Sequence, residues 1–324
     1  MHPQPLVCVV TPVYNGAEFF DECIQSVLDQ TYSNWEYCIV DNCSTDQTLA
    51  IAERHAARDP RIRILRHREH VGIIQNHNRA LRQVSPASKY FKLLFADDLL
   101  YPDCLEKMVG IAETHPTVGL VCACSLQGDQ VVWGGLPPAT NFVPGDELCR
   151  LRLLGNVPYV FGTGTSQMFR SDILRSAETL YDESNLHADH EFCFDVLQRA
   201  DFGFVHEVLG YSRLRNESWS SFAESMNGII LGNLTVLLKY GPKYLDDAEY
   251  RLEMDCLLAR YGMVLGKGLF CREPARIWRF HRKRREELGL RVGLWSFLCV
   301  FVRLLTWIVL HPRAALQRAR RPNR

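Results

Sequence analysis

The stretch "KLLFADDLLYPDCLEKM", from Lys92 to Met108, decides the architecture that this sequence predicts. Residues 92–96 are apolar apart from Lys92, which indicates a buried strand. Two adjacent carboxylates, Asp97 and Asp98, follow at the end of that strand. Like charges side by side disfavour each other's ionised form, so something must compensate them. The simple role for Asp98 is a helix cap; the alternative is a divalent cation, because Mg²⁺ and Mn²⁺ prefer oxygen ligands.

Strand and helix patterns alternate on both sides of this stretch. Short apolar runs indicate strands, and apolar residues at helical spacing indicate the helices between them. The predicted strands are 6–10, 35–40, 62–65, 90–95 and 118–124, and the predicted helices are 17–30, 47–58, 74–84 and one that begins at Asp103. Such alternation is typical of an α/β fold with a mainly parallel central sheet and helices on both faces.

Polar turns follow three of the predicted strands, with the sequences "TPVYNG", "DNCSTD" and "ADD". Ligands bind beyond the carboxyl ends of parallel strands, so we expect the three turns to meet at one binding edge. Asp41 and Asn42, in the second turn, offer hydrogen-bond acceptors and a donor that suit a base or a ribose. Their simpler role is to form the turn itself.

The regular alternation ends after Gly128. Residues 156–174 predict a strand, a turn, a second strand and the start of a helix, and residues 187–200 predict a helix. Residues 226–269 predict two apolar-rich helices separated at the "GPK" of residues 241–243. We therefore expect a main domain over 1–220, a helical extension over 221–290 and an apolar segment with a basic tail over 291–324.

The composition disfavours several classes of protein. The formal net charge is zero, so no overall field would attract nucleic acid. Most of the twelve cysteines lie in apolar runs and form no C-x-x-C pair, as expected of free thiols in a core. The opening "MHPQPLVCVV" lacks the basic and apolar regions of a signal peptide. We expect no nucleic-acid partner and a reducing, cytoplasmic setting.

A second group of acids lies in "HADHEF", where His187 and His190 flank Asp189 and Glu191. One interpretation is a helix start, where acids interact favourably with the helix dipole. A zinc site is a second, although the spacing is not H-E-x-x-H and no third ligand is evident. A general base that takes a proton from a hydroxyl is the third.

Taken together, these motifs resemble family 2 glycosyltransferases of the GT-A-type fold. The resemblance covers roughly residues 6–220 and implies a catalytic domain that inverts the anomeric configuration by single displacement, without a covalent nucleophile. It is carried by "VVTPVYNGAEFFDECIQSVLDQTYSNWEYCIVDNCSTDQT", similar to the family's opening, by "VGIIQNHNRAL", similar to its next helix, by "FADDLLYPDCLEKM", similar to its D-x-D region, and by "YDESNLHADHEF", similar to its "FDE…ED-x-E" segment.

The resemblance also implies a ligand set, namely a nucleotide-diphosphate sugar and a divalent metal, Mn²⁺ or Mg²⁺. Asp97 would bind the metal, and Asp98 would assist there or contact the sugar. Asp189 would be the catalytic base, with Glu191 as the other candidate. The donor-binding residues that it implies are Thr11, Tyr14, Asn15, Asp41, Asn42, His77, Asn78, Asp97, Asp98 and Arg215.

The sequence departs from the family's pattern in three places. Phe95 and Ala96 stand where the family often has Asp and a small residue, so only the Asp97 end of the D-x-D is present. His77 stands where many members carry Arg near the diphosphate. Arg215 stands where many have the His of "R-x-H", and an Arg there can still clamp phosphate.

The segment from Val292 to Leu310 has about the length that spans a membrane. A narrow polar stripe runs along it, and basic residues flank both ends, which suits anionic headgroups. We therefore expect attachment to a membrane surface, with a helix packed on the catalytic domain as the alternative. The stripe consists of Ser296, Cys299, Arg303 and Thr306.

We expect, in sum, transfer of a sugar to a hydroxyl of a glycan or lipid-linked saccharide acceptor, at the inner membrane face, in cell-surface polysaccharide or lipopolysaccharide synthesis. A nucleotidyltransferase is the enzymatic alternative, but "TPVYNG" lacks the basic, Gly-rich phosphate loop of that class. A nucleotide-sugar- or glycan-binding protein without catalysis is the other. Hydride transfer is disfavoured because no G-x-G-x-x-G follows the first strand.

Asp97→Ala is expected to abolish sugar transfer while the protein stays folded, because the change removes the implied metal ligand. Activity is measured as nucleoside diphosphate released, and folding by far-UV circular dichroism. Asp103→Ala, which removes an acid at the start of the next predicted helix, is the control and should keep most of the activity. An Asp97→Ala protein with near-wild-type turnover would rule out the metal role.

Overall fold

A ten-stranded sheet forms the centre of the first part of the chain in this computed structural model. The structure describes residues 4–176, 180–213, 219–270 and 274–290. Contacts between residues divide the chain into two units, Met1–Ser218 and Trp219–Arg324. The predicted apolar segment at 292–310 and the position of Arg215 lie outside the described residues.

Strands and helices alternate through the first unit. Its strands are β1 (Val7–Val13), β2 (Trp35–Asp41), β3 (Ile62–Arg66), β4 (Tyr90–Leu93), β5 (Leu99–Leu100), β6 (Val118–Gln127), β7 (Gln130–Val132), β8 (Phe142–Val143), β9 (Gln167–Arg170) and β10 (Asp201–Ser212). Its helices are α1 (Ala17–Leu28), α2 (Thr48–Ala56), α3 (Ile73–Leu81), α4 (Cys104–Thr114), α5 (Gly145–Leu153), α6 (Ser171–Ser176) and α7 (Ala188–Leu197), with a 3₁₀ turn at Gly164–Ser166.

The sheet has the strand order β3-β2-β1-β4-β9-β6-β10-β5, with β7 beside β6 and β8 beside β10. Parallel pairing joins β3, β2, β1 and β4, and also joins β6 to β10. Strand β9 lies between these two groups and is antiparallel to both. The prediction of a mainly parallel sheet with helices on both faces is therefore confirmed.

Burial explains why the first elements form as predicted. All seven residues of β1 are buried, as expected of a central strand that is covered on both faces. In α1 the buried residues recur at helical spacing, so this helix turns one apolar face to the core. These residues are Phe20, Cys23, Ile24 and Val27.

Strand β4 ends at Leu93, earlier than the predicted strand end. The amide of Leu94 still donates to the carbonyl of Val10 in β1, at 3.0 Å. The next amide, that of Phe95, donates instead to the Thr165 hydroxyl at 3.2 Å. The chain therefore leaves the sheet two residues before Asp97, and a side chain from the 3₁₀ turn replaces the strand partner.

Two other expectations were wrong, and one strand was not predicted. Residues 156–161 form no strand: Pro158 has no amide N–H to donate, and the Tyr159 hydroxyl donates to the Gly162 carbonyl at 3.1 Å. Strand β10 was not predicted at all, although it is the longest described strand. The expected helix break at 241–243 falls after Tyr244, because Pro242 lies in the last helical turn, where it removes a single hydrogen bond.

The second unit is helical in its described part, as predicted for the extension. Its helices are α8 (Trp219–Ser225), α9 (Ile229–Tyr244), α10 (Asp247–Phe270) and α11 (Ala275–Glu287). Leu231, Leu234, Tyr261 and Leu265 form a small apolar core. Over the described ranges of the chain, none of the helices combines the length and the hydropathy needed to cross a membrane.

A fully buried lysine lies in the middle of the sheet. Lys92 in β4 has no exposed surface, and its ammonium donates to the carbonyls of Thr165, at 2.6 Å, and Gln167, at 3.2 Å. Burial lowers the pKa of this ammonium below its ordinary value of 10.5. Lys92 therefore joins β4 to the 3₁₀ turn and to the start of β9.

Lys92→Met is expected to change how stability depends on pH. The folded protein holds this proton less tightly than the unfolded chain, whose lysine titrates near 10.5, so raising the pH towards that value favours folding. The free energy of unfolding of the wild type should therefore rise relative to that of Lys92→Met. Urea titrations at several pH values measure this difference, with Lys89→Met as the half-exposed control. A difference that stays constant with pH would show that burial does not shift the lysine.

Candidate active site

Three polar loops follow β1, β2 and β4, and the first two of them are joined by hydrogen bonds at the carboxyl edge of the sheet. The Asn15 amide donates to the Ser44 hydroxyl at 2.9 Å, and the Thr45 amide donates to Asn15 Oδ1 at 2.8 Å. The third loop packs against the first at Gly16, where an added Cβ would lie 3.4 Å from that of Ala96. The expected meeting of the loops at one edge is therefore present in the fold.

Asp98 is held inside the protein by three donors. Its carboxylate accepts from the Thr165 hydroxyl at 2.6 Å, from the Ser212 hydroxyl at 3.3 Å and from the Arg213 amide at 3.1 Å. It is only 4% exposed, and burial together with the neighbouring Asp97 raises its pKa to about 7. Asp98 thus ties the loop after β4 to the 3₁₀ turn and to the end of β10.

Asp97 is partly exposed, unlike its neighbour. The Arg213 side chain donates from Nε to the Asp97 carbonyl at 2.8 Å and lies over the ring of Phe19, 4.1 Å from its centroid. The same guanidinium forms an ion pair with Glu22. Arg213 therefore fixes the backbone at Asp97 from outside the loop, while Asp98 anchors it from within.

The predicted base-binding residues are occupied by contacts within the protein. Asp41 is 1% exposed, accepts from the Ser44 amide at 3.2 and 3.3 Å, and lies 3.7 Å from Arg66 Nε. The Asn42 amide group donates to the Val71 carbonyl at 2.9 Å and accepts from the Val71 amide at 3.0 Å. Their contact with a base stays a prediction, and Asn42 serves here as a clamp on the backbone.

The first polar loop presents Tyr14 rather than Thr11. Tyr14 is 48% exposed, and its ring meets the edge of His70 with centroids 4.4 Å apart. Thr11 has no exposed surface, and its hydroxyl lies 2.8 Å from that of Tyr37 inside the core. Asn15 has a positive φ of 50° and joins the loops. Of these predicted nucleotide contacts, Tyr14 and Asn15 are exposed, whereas Thr11 is buried.

His77 and Asn78, in α3, also face other parts of the protein. His77 stacks on Phe95 with centroids 5.4 Å apart, and burial lowers its pKa to about 4. A neutral imidazole therefore stands where many family members carry a charged Arg. Asn78 exchanges two hydrogen bonds of 2.9 Å with the backbone of Tyr181, in the same manner as Asn42 with Val71.

The second pair of acids shows the same division as Asp97 and Asp98. Glu191 is 7% exposed and accepts from the Asn185 side chain at 2.8 Å. Asp189 is partly exposed near the start of α7 and accepts from the His190 amide at 2.9 Å. Burial of its carboxyl group raises the pKa of Asp189, against the opposing effect of His187. Asp189 is therefore the less buried residue of this pair, and its carboxyl group binds a proton more readily than an ordinary Asp.

Whether the residues present could hold the implied divalent cation depends on Asp97. Across the described part of the chain, no three residues of the types His, Cys, Asp and Glu are grouped so that they could hold a metal ion. Magnesium and manganese do not need such a group beside a phosphate substrate, because one or two carboxylates and the phosphate oxygens suffice. A partly exposed Asp97 beside the buried Asp98 meets that requirement, so the residues present fit the implied cation.

Four residues of this site were not predicted. Thr165, Ser212, Arg213 and Asn185 each donate a hydrogen bond to a carboxylate of the two acid pairs. In "SRLRNESWS" the family resemblance implied a role for Arg215, and nothing in the sequence pattern distinguishes Arg213. Thr165 and Asn185 are small polar residues in irregular segments, where their partners depend on the fold.

The structure defines an α/β fold whose polar loops meet at the carboxyl edge of the sheet, and comparison with known proteins gives the family. The model of "Glycosyl transferase family 2" matches residues 8–176, just over half of the chain. The chain therefore belongs to glycosyl transferase family 2 and is a glycosyltransferase.

Several curated proteins resemble it in sequence. An uncharacterized protein of Sinorhizobium fredii is 30% identical over 63% of this chain and 22% of its own length. A Bacillus subtilis protein, provisionally named the teichuronic acid biosynthesis glycosyltransferase TuaG, is 33% identical over 44% of this chain and 54% of its own. The chondroitin synthase of Escherichia coli is 38% identical over 36% of this chain and 16% of its own. This chain thus spans less than two thirds of each of these relatives.

Two solved structures share the fold. Staphylococcus aureus TarS, in complex with UDP-GlcNAc, superposes with a TM-score of 0.64 and 16% identity, over 88% of this chain and 80% of that one. The mannosyltransferase PcManGT from Pyrobaculum calidifontis, in complex with GDP-Man and Mn²⁺, superposes with a TM-score of 0.57 and 16% identity, over 98% and 80%. At this identity the likeness confirms the GT-A-type fold.

Asn42→Ala is expected to destabilise the fold, because it leaves the Val71 amide and carbonyl without their partner. The loss should be about 2 kcal/mol or more, since each buried group left unsatisfied costs roughly 1–3 kcal/mol. Urea denaturation measures it. Asn34→Ala, at an exposed position with one hydrogen bond to Gln4, is the control and should change stability by about 0.5 kcal/mol or less. Equal effects of the two variants would contradict the clamp.

Proposed function

We propose that the protein transfers a sugar, with inversion, from a nucleotide-diphosphate sugar to a hydroxyl of a glycan or lipid-linked saccharide. The product would belong to a cell-surface polysaccharide or lipopolysaccharide. The observation that carries this proposal is the division within each acid pair: Asp98 and Glu191 are buried and hydrogen-bonded, whereas Asp97 and Asp189 are only partly buried residues. In this proposal Asp97 binds the metal–diphosphate, and Asp189 takes the acceptor proton.

The transfer would be a single displacement. The acceptor oxygen attacks the anomeric carbon, its proton passes to the Asp189 carboxylate, and the bond from that carbon to the diphosphate oxygen breaks. A metal held at Asp97, when bound, supplies positive charge to the leaving diphosphate. Asp98, through Thr165 and Arg213, keeps Asp97 in position. The raised pKa of Asp189 makes this carboxylate a stronger base than an exposed Asp.

Names of the relatives support the substrate class. TuaG and chondroitin synthase carry names that refer to polysaccharides, and TarS and PcManGT were solved with UDP-GlcNAc and with GDP-Man. A donor panel tests the proposal directly. Release of UDP or GDP from UDP-glucose, UDP-GlcNAc and GDP-mannose is measured with Mn²⁺ and with Mg²⁺. A thermal shift with each donor separates catalysis from binding, since a ligand at a hundred times its Kd stabilises by about 2.7 kcal/mol.

The panel also decides between the alternatives. A protein that is stabilised by donors yet releases no nucleoside diphosphate, with any acceptor supplied, would be a binding protein. Formation of a nucleotide sugar from a nucleoside triphosphate and a sugar phosphate would indicate a nucleotidyltransferase. Either outcome would overturn the proposed transfer.

Asp189→Asn is expected to reduce kcat at least about a hundredfold and to leave donor binding nearly unchanged, because it removes basicity and keeps shape. Glu191→Gln is the matched control and should cost much less, since the amide still accepts from Asn185. As the pH is lowered, wild-type kcat should begin to fall at a higher pH than a base with the ordinary Asp pKa of 3.8 would give. The reason is that the base works only when it is deprotonated. The opposite ranking of the two variants, at saturating substrates, would move the role to Glu191.

We also propose that residues 292–310 attach the protein to the inner membrane surface. This is supported by the exposed basic residues of α11, the helix that precedes the segment in sequence, since a basic surface favours anionic lipid; they are Arg276, Arg279, Arg282 and Lys283. A chain that ends at Arg291 should therefore stay soluble and still bind donor in detergent-free buffer, while losing co-sedimentation with phosphatidylglycerol vesicles. An aggregated truncation without donor binding would identify the segment as core structure.

A further inference from the structure

Helix α10 is apolar on two opposite sides. On the inner side, Met254, Leu257 and Leu258 pack against the small core of the helical unit, to which Tyr261 and Leu265 belong. On the outer side, apolar or small residues recur at helical spacing over three turns. This outer stripe consists of Leu252, Cys256, Ala259 and Met263.

The outer stripe faces away from the core of its own unit. Leu252 is 63% exposed and Met263 is 54% exposed, and Cys256 between them is exposed as well. A surface helix normally turns polar residues outward, and a helix that is apolar on all sides is normally buried. Large apolar side chains that share one exposed row therefore indicate a surface that another protein covers.

Charged residues beside the outer stripe indicate which protein covers it. Glu253 and Arg260 lie two helical turns apart and therefore on the same side of the stripe, with the acid nearer the beginning of the helix. A two-fold axis between two antiparallel copies of α10 brings this same side of both helices together. The acid of each copy then faces the base of the other, so this side of the helix is complementary to itself.

The outer stripe also gives the register of the antiparallel pairing. Its midpoint falls between Leu257 and Leu258, so an axis there places Leu252 of each copy opposite Met263 of the other. The acid and the base that face each other then differ in level by about 3 Å along the helix axis, within reach of two long side chains. A parallel pairing would instead bring Glu253 of one copy beside Asp255 of the other, where like charges oppose it.

We infer that α10 forms a symmetric antiparallel contact with α10 of a second copy of this chain, so that the enzyme is a homodimer. The stripe offers each copy an apolar row of equal length, and the charged side offers its own complement. One helix pair is a small contact beside the roughly 1,600 Å² of a standard interface. We therefore expect a dimer that dissociates on dilution.

The first test measures association of the full chain in a nonionic detergent. Sedimentation velocity over a dilution series gives the dissociation constant of the dimer, and circular dichroism checks folding. Leu252→Asp should weaken the dimer at least about tenfold, because it places a charge in an apolar contact. Lys239→Glu, which reverses a charge at an exposed position of α9, is the control and should leave the dissociation constant unchanged.

A charge exchange tests the orientation of the two helices. Glu253→Arg and Arg260→Glu each set like charges against each other and should weaken the dimer about threefold or more. The double variant restores opposite charges across the antiparallel pair and should dimerise like the wild type. Recovery in the double variant cannot arise from a change in the stability of the single chain.

Cys256 provides a probe of the register within the wild-type chain. The two copies of this residue lie on the same side of the proposed pair and differ in level by about 4.5 Å along the helix axis. A short bis-maleimide should therefore link two chains through Cys256. The linked product should form more slowly in Leu252→Asp and should be absent in Cys256→Ser.

Other results would overturn the inference. A dimer that Leu252→Asp leaves unchanged would have its contact elsewhere on the chain. A double variant as weak as the single ones, or a Glu253→Arg that strengthens the dimer, would rule out the antiparallel pairing, and a dimer without the Cys256 link would rule out this register.

A monomer at every concentration would also overturn it, and maleimide labelling would then show what covers the stripe. Slow labelling of Cys256 would indicate the chain's own residues 292–310, and fast labelling would indicate a stripe that stays open. The proposed sugar transfer is measured separately and does not depend on these results.

Discussion

The buried ammonium of Lys92 is the contact on which the candidate site depends. It reaches from β4 to the carbonyls of Thr165 and Gln167 and so fixes the 3₁₀ turn beside the sheet. The same 3₁₀ turn supplies the Thr165 hydroxyl, which donates to Asp98. A charged group in the core is costly unless hydrogen bonds compensate it, and here the two carbonyls do so. The position of the acid pair is thus set by a chain of polar contacts inside the protein.

In both acid pairs, one residue is buried and hydrogen-bonded and the other is less buried. Asp98 and Glu191 are buried and hold the local structure through Thr165 and Asn185, respectively. Their partners in sequence, Asp97 and Asp189, are less buried. Adjacent like charges are tolerated because the inner member is hydrogen-bonded and, for Asp98, has a pKa raised to about 7. A hydrogen-bonded inner carboxylate beside a less buried one suits the proposed role of these acids in binding a substrate.

Buried side-chain amides hold the loops in place by hydrogen bonds, as the buried carboxylates do at the acid pairs. Asn42 and Asn78 each exchange two hydrogen bonds with one backbone residue of a distant segment, Val71 and Tyr181. Two reciprocal bonds fix both position and orientation, so irregular segments without strand partners remain ordered. Family resemblance suggested ligand roles for both residues, and the structure adds a mechanical one that does not depend on a bound ligand.

The sequence by itself determined the alternation of strands and helices from β1 to α4 and the meeting of three polar loops at one edge. Both follow from local periodicity and from the shared direction of parallel strands. Only the tertiary structure decided which acid of each pair is exposed, where β4 leaves the sheet, and which groups hold Asp98. Asp98 and Arg213 are 115 positions apart, and β10 is paired largely with β6 rather than with a neighbour in sequence. Contacts of this range leave no periodic signal, because they depend on how distant segments pack and not on the order of residues within one.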